Sequence, residues 1–422
     1  MLQSLTIRGF KSLYDVRRLE LAPLTLFFGP NAAGKSNLID SILLLSRLGT
    51  ERTLADALGT NGPLRGRPIE AFSFPPAGLP GLFEREDVDF TIDADLRCGS
   101  GGKERYEYRV QVIGEPSSGE FRVGEEFLAK LKKDGTPWSM KPIMETRDDA
   151  LKVRKRGSSP GRPENHPKAL NHTLVSDERF SGKPYAPFEL VRSELASFDT
   201  YYLDPRSAMR WEEFPQEARD IGPMGERLAA FLYRLHQSEP KVFAAIQRTL
   251  CTVIPSIDDL AVDLDTRRGT IDIEITQSGI PFSGRIVSEG TLRVLALICV
   301  TLNPWGGSLL AFEEPENGVH PRRIELVAEM LGALALDADG RTRQVVLTSH
   351  SPLFCGRILQ LARRNASDVR MYRVVREKHK TRFIDFDPDG PLFRDAQLME
   401  ALSSPGEDGV FEALALRGLL DG

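Results

Sequence analysis

The eight residues 29–36, Gly-Pro-Asn-Ala-Ala-Gly-Lys-Ser, constrain this chain most, because they have the spacing of a phosphate-binding loop. Glycines let backbone N–H groups close around a polyphosphate, and the N-terminus of a following helix adds positive potential. We expect the Lys35 ammonium to reach the β- and γ-phosphates and the Ser36 hydroxyl to bind Mg²⁺. An ordinary glycine turn is the alternative. The predicted phosphate-binding residues are Gly29, Pro30, Asn31, Ala32, Ala33, Gly34, Lys35, Ser36 and Asn37.

The sequence on both sides of the loop favours phosphate binding over a simple turn. Residues 24–28 are an apolar run that predicts a buried parallel strand. Residues 37–48 carry apolar side chains at helical spacing, and Gly49 is placed to end that helix. Strand, glycine-rich loop and helix therefore follow one another in the order that such a site needs.

Composition excludes several classes of protein. The chain has 422 residues, 41% of them hydrophobic and 27% charged, which is typical of a globular protein with a large core. A net charge of -5 argues against a wholly basic nucleic-acid binder. We expect neither a secretory leader nor a membrane span, and hence a cytoplasmic protein. The four cysteines are scattered, so reduced thiols are expected and a zinc site is not.

Two apolar strands are predicted to end in side chains that could take part in metal binding or catalysis. Residues 307–314 form an apolar run that ends in Glu313 and Glu314. At the carboxyl end of a strand in a parallel sheet these acids would face the ligand crevice. Glu313 would support Mg²⁺, and Glu314 would polarise an attacking water. Two solvated surface acids are the alternative.

A second strand, residues 344–347, leads to His350. A histidine at such a strand end could donate to the γ-phosphate or hold the water, although a lone histidine is otherwise more often structural. Ser288, Glu289 and Gly290 precede an apolar helix at residues 292–302, with Ser288 as the predicted N-cap. Taken alone, this is a well-capped buried helix.

Residues 141–168 form a basic segment, with eight Lys or Arg against four Asp or Glu. Its low apolar content predicts a mobile insertion. Four of its cations, Lys152, Arg154, Lys155 and Arg156, could follow a DNA backbone. A solvated charged surface is the competing interpretation, since Trp138 is the only nearby aromatic suited to stacking.

Four motifs follow one another along the chain: the phosphate loop, the Ser288 segment, the acidic strand and the histidine strand. This order resembles that of the ABC-type ATPases of the chromosome-maintenance, RecF and overcoming-lysogenization-defect group. Residues 9–12, Gly-Phe-Lys-Ser, look like the opening strand of chromosome-maintenance heads. Residues 288–290 are similar to the family signature, residues 313–321 to its acidic motif and D-loop, and His350 to its switch histidine. Glu313 stands where most relatives carry Asp. Neither a long coiled coil nor a recognisable Toprim nuclease domain is predicted.

The resemblance implies an α/β P-loop head with a mainly parallel core sheet, an antiparallel β lobe and a helical signature lobe. It further implies a slow ATPase that uses ATP and Mg²⁺ and dimerises head-to-tail, with Ser288, Glu289 and Gly290 completing the partner's nucleotide site. Lys35, Glu314 and His350 would be the catalytic residues. The predicted segments are an N-terminal head part (1–140), a basic insertion (141–187), a helical and hairpin lobe (188–280) and a C-terminal head part (281–422).

Two functions remain open at this point. One is an ATP-driven switch coupled to DNA repair or to defence against foreign DNA. The other is a nucleotide-gated scaffold with little turnover that holds a separately encoded effector such as a nuclease. A small-molecule kinase is disfavoured, because it needs neither the Ser288 segment nor the histidine strand.

Overall fold

The computed structural model describes residues 1–59, 64–99, 101–148, 150–155, 163–336, 343–388 and 390. The chain forms two compact units and passes between them several times, so the units cut across the four segments predicted from sequence. The first unit contains Met1–Ala22, Asn31–Phe198 and Arg373–Ile384. The second contains Pro23–Pro30, Asp199–Tyr372 and the described residues from 385 onward.

The described residues contain both strands and helices, which confirms the α/β class. The strands are β1 (Leu2–Phe10), β2 (Leu13–Glu20), β3 (Leu24–Phe28), β4 (Val88–Cys98), β5 (Glu104–Glu115), β6 (Glu120–Leu131), β7 (Met144–Arg147), β8 (Ala150–Val153), β9 (Glu164–His166), β10 (Phe198–Tyr201), β11 (Ile257–Asp265), β12 (Thr270–Gln277), β13 (Ile280–Ser283), β14 (Leu309–Glu313), β15 (Gln344–Ser349), β16 (Val369–Glu377) and β17 (Lys380–Asp385). The helices are α1 (Lys35–Thr50), α2 (Leu54–Leu58), α3 (Gly78–Phe83), α4 (Ala186–Leu195), α5 (Leu228–Ser238), α6 (Pro240–Val253), α7 (Glu289–Thr301), α8 (Pro321–Leu336) and α9 (Pro352–Arg364). None of these helices is long and apolar enough to cross a membrane.

The first unit is built on an eight-stranded sheet in the order β2-β1-β4-β5-β6-β7-β8-β9. Its neighbouring strands are antiparallel throughout. Apolar residues alternate with polar ones in residues 88–96 and 106–112, which predicts half-buried strands. β4 and β5 have one face buried and the other partly exposed. Period-two patterning therefore predicted this part of the unit, because each strand packs only one face.

Residues 134–135, Asp-Gly, predict a hairpin within residues 121–140, and it forms only in part. β6 ends at Leu131, a tight turn carries Asp134 and Gly135, and the returning arm is reduced to a single bridge between Leu131 and Pro137. On either side of this bridge the Lys132 N–H donates to the Thr136 carbonyl at 2.8 Å and the Trp138 N–H donates to the Lys130 carbonyl at 2.9 Å.

The described part of residues 141–187, predicted to be a mobile basic insertion, contributes β7, β8 and β9 to the sheet. The side chains of Met144 on β7 and of Leu151 and Val153 on β8 are buried, which gives these two strands a face to pack. Arg156, one of the four cations considered for DNA contact, lies outside the described residues, as do residues 157–162.

The second unit contains a sheet with the neighbouring strands β10-β14-β15-β3-β16. Within it, β14 pairs in parallel with β15, and β15 pairs in parallel with β3. The unit also holds the antiparallel sheet β11-β12-β13, and alternation in residues 258–265 and 270–276 predicts its first hairpin. α5 buries Leu228, Phe231, Leu232 and Leu235, whose helical spacing predicts that they share one face. α7 is apolar almost all round and is buried accordingly.

Glu126 is a buried carboxyl that joins β6 to the turn at residues 173–176. Its Oε2 accepts from the Leu174 N–H at 2.8 Å, and its Oε1 accepts from the Val175 N–H at 3.2 Å and the Tyr108 hydroxyl at 3.0 Å. Burial raises the pKa of Glu126 to about 7, against the opposing effect of these donors. The native state therefore holds this proton more tightly than the unfolded chain does.

We expect the contribution of Glu126 to stability to be complete below about pH 4.5 and to be lost as the pH rises through about 7. The free energy of unfolding in urea should fall between pH 5 and pH 8 by on the order of 2 kcal/mol more in the wild type than in Glu126→Gln. Glu125→Gln, which changes the adjacent exposed carboxyl, is the control. Equal pH dependence in the Glu126 variant and the wild type would contradict the assignment.

Candidate functional site

The phosphate loop follows β3 directly, and its last residues open α1. β3 ends at Phe28 and α1 begins at Lys35, which confirms the predicted order of strand, loop and helix. The prediction that Gly49 ends the helix is wrong, because α1 continues through Gly49 to Thr50. Gly34 has a φ of +103°, and a Cβ there would lie 2.0 Å from Thr381 Oγ1 and 2.8 Å from Ser12 Oγ. Only glycine fits this position, for reasons of both backbone conformation and space. Lys35 is buried, whereas Asn31 and Ala32 are exposed.

Side chains from distant parts of the first unit hold the loop in place. Thr381 Oγ1 donates to the Ala33 carbonyl at 2.8 Å and lies 2.7 Å from Ser12 Oγ. The Asn37 amide donates to Ser12 Oγ at 2.7 Å, and Arg376 donates to the Ala32 carbonyl at 3.1 Å. Sequence reasoning missed the roles of Thr381 and Arg376, because nothing in their local sequence reports a contact with a loop some 350 positions earlier.

The second unit brings the predicted acids and the histidine to one sheet edge. β14 and β15 pair so that Glu313 lies opposite Thr348, and β15 and β3 pair so that Ser349 lies opposite Phe28. Parallel strands end at the same edge of a sheet. Glu313, Glu314 and His350 therefore share this edge with Gly29 and Pro30, the first two residues of the phosphate loop.

Glu314 and His350 form a defined pair at this edge. The His350 Nδ1 lies 2.9 Å from Glu314 Oε1. Glu314 has a φ of +44°, and its N–H donates to the Thr348 carbonyl at 3.1 Å. A left-handed backbone is unfavourable for glutamate and is maintained only where surrounding contacts enforce it. The chain therefore turns sharply after β14 and directs this carboxylate towards the histidine.

Ser288 caps α7 as predicted, with its side chain accepting from the Thr291 N–H. Ser288 and Glu289 are exposed, and Gly290 is half-buried. A Cβ on Gly290 would lie 2.7 Å from the Gly318 carbonyl oxygen, so this position too needs glycine. The predicted signature segment thus lies against the loop that follows the acidic strand, with its first two residues open to solvent.

The two predicted Mg²⁺ ligands have suitable chemistry. The Ser36 hydroxyl and the Glu313 carboxylate are hard oxygen donors of the kind that Mg²⁺ prefers. A group of three or more His, Cys, Asp or Glu side chains that could hold a metal is not found among the described residues. Mg²⁺ at nucleotide sites commonly needs only one or two protein ligands, because phosphate and water supply the others. Each of the two side chains is therefore of a type that suits this ion.

Comparisons with known proteins were made by family model, sequence and fold. A family model described as "AAA domain, putative AbiEii toxin, Type IV TA system" matches residues 24–356. No curated protein matches the sequence. The SMC head bound to the C-winged helix domain of ScpA aligns over 92% of this chain and 98% of its own, with 13% identity and a TM-score of 0.52. The SMC head domain with an extended coiled coil, bound to the C-terminal domain of ScpA and derived from Pyrococcus furiosus, aligns over 96% and 99%, with 12% identity and a TM-score of 0.50.

The likeness to these two structures shows a shared α/β fold. At 12–13% identity it carries no information about partners or activity. The family match covers the phosphate loop, the signature segment, the acidic strand and His350.

Thr381→Val should weaken nucleotide binding, because it leaves the Ala33 carbonyl without its donor inside a buried network. One lost buried hydrogen bond corresponds to about 1–2 kcal/mol, or roughly tenfold in the ATP dissociation constant measured by calorimetry. Thr381→Ser keeps the hydroxyl and is the matched control. A valine variant that binds ATP as tightly as the serine variant would argue against a supporting role for this network.

Proposed function

Because the chain belongs to this AAA domain family and is therefore a nucleotide-binding ATPase domain, we propose that it is an ATP-hydrolysing switch. The observation that carries the proposal is the Glu314–His350 pair, 2.9 Å apart at the strand edge where the phosphate loop begins. From the order of the four motifs we further propose that it is related to the chromosome-maintenance, RecF and overcoming-lysogenization-defect group of ABC-type ATPases.

The roles of the residues follow from their chemistry. Lys35 and the backbone N–H groups of the loop bind the β- and γ-phosphates, and Ser36 and Glu313 would hold Mg²⁺, which neutralises phosphate charge. Glu314 accepts a proton from the attacking water, and His350 keeps the Glu314 carboxylate in position. Positioning and preorganised charge supply most of the rate enhancement in phosphoryl transfer.

We further propose that two copies bind head-to-tail around ATP. The exposure of Ser288 and Glu289 supports this, since a segment buried within its own chain could not reach a second copy. A group of exposed apolar side chains also lies near this segment: Trp211, Phe214 and Ile286 are 66%, 69% and 69% exposed. The Arg210 guanidinium donates to the Arg285 carbonyl at 2.7 Å, which holds the two stretches together. Such a group favours burial against a partner.

DNA remains a proposed partner of the basic segment, although three of its cations form ion pairs with acids of the same segment. Lys152 pairs with Asp148, Arg154 with Glu145, and Lys155 with Glu164. The Lys130, Trp138 and Lys141 side chains line a cavity of about 230 Å³ in the same region, and Trp138 is 64% exposed. A cation-lined cavity with an exposed indole is suited to a nucleic-acid base and its phosphate.

The alternative is a scaffold whose ATP state holds or releases an effector protein. The two SMC heads that share this fold are, by their descriptions, bound to ScpA domains. By analogy, the exposed apolar group could hold such a partner. Slow turnover, stimulated by a second protein and unaffected by DNA, would favour this function.

Glu314→Gln should trap an ATP-bound dimer, because the amide cannot accept the proton from water while ATP binding is retained. Sedimentation velocity with ATP and Mg²⁺ should show a dimer for Glu314→Gln, while Lys35→Ala, which lacks the phosphate contact, should stay monomeric. ATP hydrolysis should fall by roughly a hundredfold or more in the Glu314 variant. A Glu314→Gln protein that binds ATP and remains monomeric would rule out the dimer proposal.

Duplex and single-stranded DNA binding should weaken steeply with salt if the basic segment follows a phosphate backbone. Replacing Lys152, Arg154, Lys155 and Arg156 together with glutamine should remove most of the salt dependence in fluorescence anisotropy. Arg17→Gln, which changes an exposed and ion-paired cation on β2, is the control. Equal affinity and salt slope in the fourfold variant and the wild type would favour the scaffold.

A further inference from the structure

Glu316 is a buried carboxyl that the proposed chemistry does not use. It lies three residues after Glu313 in the acidic loop and is 4% exposed. Its Oε1 accepts a hydrogen bond from the hydroxyl of Ser349, the last residue of β15. Its Oε2 is buried and has no hydrogen-bond partner among the described residues. Burial raises the pKa of Glu316, while the Ser349 hydrogen bond opposes that shift. A half-satisfied buried carboxyl is costly, which invites a functional explanation.

The partner of Glu316 controls the start of the loop that carries His350. Ser349 Oγ, besides donating to Glu316, accepts from the Ser351 N–H at 3.0 Å. Ser351 in turn caps α9 by accepting from the Phe354 N–H. His350 therefore lies between Ser349, which donates to Glu316, and Ser351, whose N–H donates to Ser349. These hydrogen bonds fix the backbone position from which the His350 imidazole contacts Glu314.

The opposite side of the Glu316 loop meets the signature helix. A Cβ on Gly290 would lie 2.7 Å from the carbonyl oxygen of Gly318, which is two residues beyond Glu316. Arg293, one turn into α7, is partly buried, and the carboxylates of Asp204 and Glu316 both act electrostatically on its guanidinium. The loop at residues 316–318 is thus packed between the start of α7 and the end of β15.

We propose that Glu316 is a positioning residue that couples the signature segment to His350 through the Ser349 hydroxyl. A displacement of the α7 N-terminus on meeting a second copy would move the 316–318 loop. Because Ser349 is bonded to that loop, the same movement would reach the His350 backbone. The inference rests on the proposed function and assigns a regulatory contact within that same site.

Kinetics of four variants test the coupling. Glu316→Ala and Ser349→Ala should each lower the kcat for ATP hydrolysis by about tenfold or more, because small displacements of catalytic groups are costly. The ATP dissociation constant should stay within roughly twofold. Glu316→Gln keeps an acceptor for Ser349 and should retain most of the rate. The double variant, Glu316→Ala with Ser349→Ala, should be no slower than the slower single variant, because both remove the same contact.

Several results would overturn the inference. Additive losses in the double variant would show that the two side chains act independently. A parallel loss of ATP affinity and kcat, or a Glu316→Gln variant as slow as Glu316→Ala, would indicate only a structural or charge role. If Glu316→Ala does not fold, the Ser349→Ala variant decides, since it removes the same hydrogen bond with a smaller change. Ser46→Ala, which deletes a buried hydroxyl that donates to the Leu195 carbonyl, should leave kcat unchanged.

The outcome also separates this inference from the proposed function. A wild type that hydrolyses ATP, with a slow Glu314→Gln variant and unaffected Glu316 variants, overturns the coupling alone. A wild type whose ATP binding or hydrolysis is absent overturns the proposed function and, with it, the coupling.

Discussion

The parallel hydrogen-bonded ladder of β14, β15 and β3 is the constraint on which the candidate site depends. Parallel strands carry all their carboxyl ends to one edge, and their slanted ladder fixes which residues lie side by side. The register that sets Glu313 beside Thr348 and Ser349 beside Phe28 therefore decides that two acids, a histidine and the start of the phosphate loop meet there. A shift of one residue in either pairing would turn each of these side chains to the other face.

Two residues with a left-handed backbone also shape the loops of the candidate site. Gly34 and Glu314 both have positive φ, the first at the end of the phosphate loop and the second just after the acidic strand. Gly34 adopts its conformation at little cost, whereas Glu314 needs support. The Glu314 N–H bond to the Thr348 carbonyl and the pairing of its carboxylate with His350 are the contacts that give it.

Buried hydroxyls connect the loops of the site to the elements behind them. In the first unit Ser12 and Thr381 support the phosphate loop. In the second unit Ser349 joins the acidic loop to the histidine loop. Both are short polar networks in apolar surroundings, where a missing partner is costly and a complete set of partners fixes geometry. Thr381 and Ser349, which lie outside the recognisable motifs, thus help to hold the loops that carry the proposed chemistry.

The sequence by itself determined the local elements of the site. The apolar run at residues 24–28, the glycine spacing that follows and the Ser288 cap each depend on contacts within a few residues, and the structure has β3, the loop and the α7 cap there. The hairpin of β11 and β12 was predictable for the same reason. The charge pattern did not reveal the packing of residues 144–153, where two short strands bury Met144, Leu151 and Val153.

Only the tertiary structure decided which distant side chains support these elements. Thr381, Arg376 and Ser349 contact partners that the chain brings close only once it has folded, and their local sequences carry no sign of it. The pairing of Arg154 and Lys155 with acids on β7 and β9 was equally invisible, because ion pairs across a sheet depend on register. Local physics fixed the motifs, and long-range packing fixed what holds them in place.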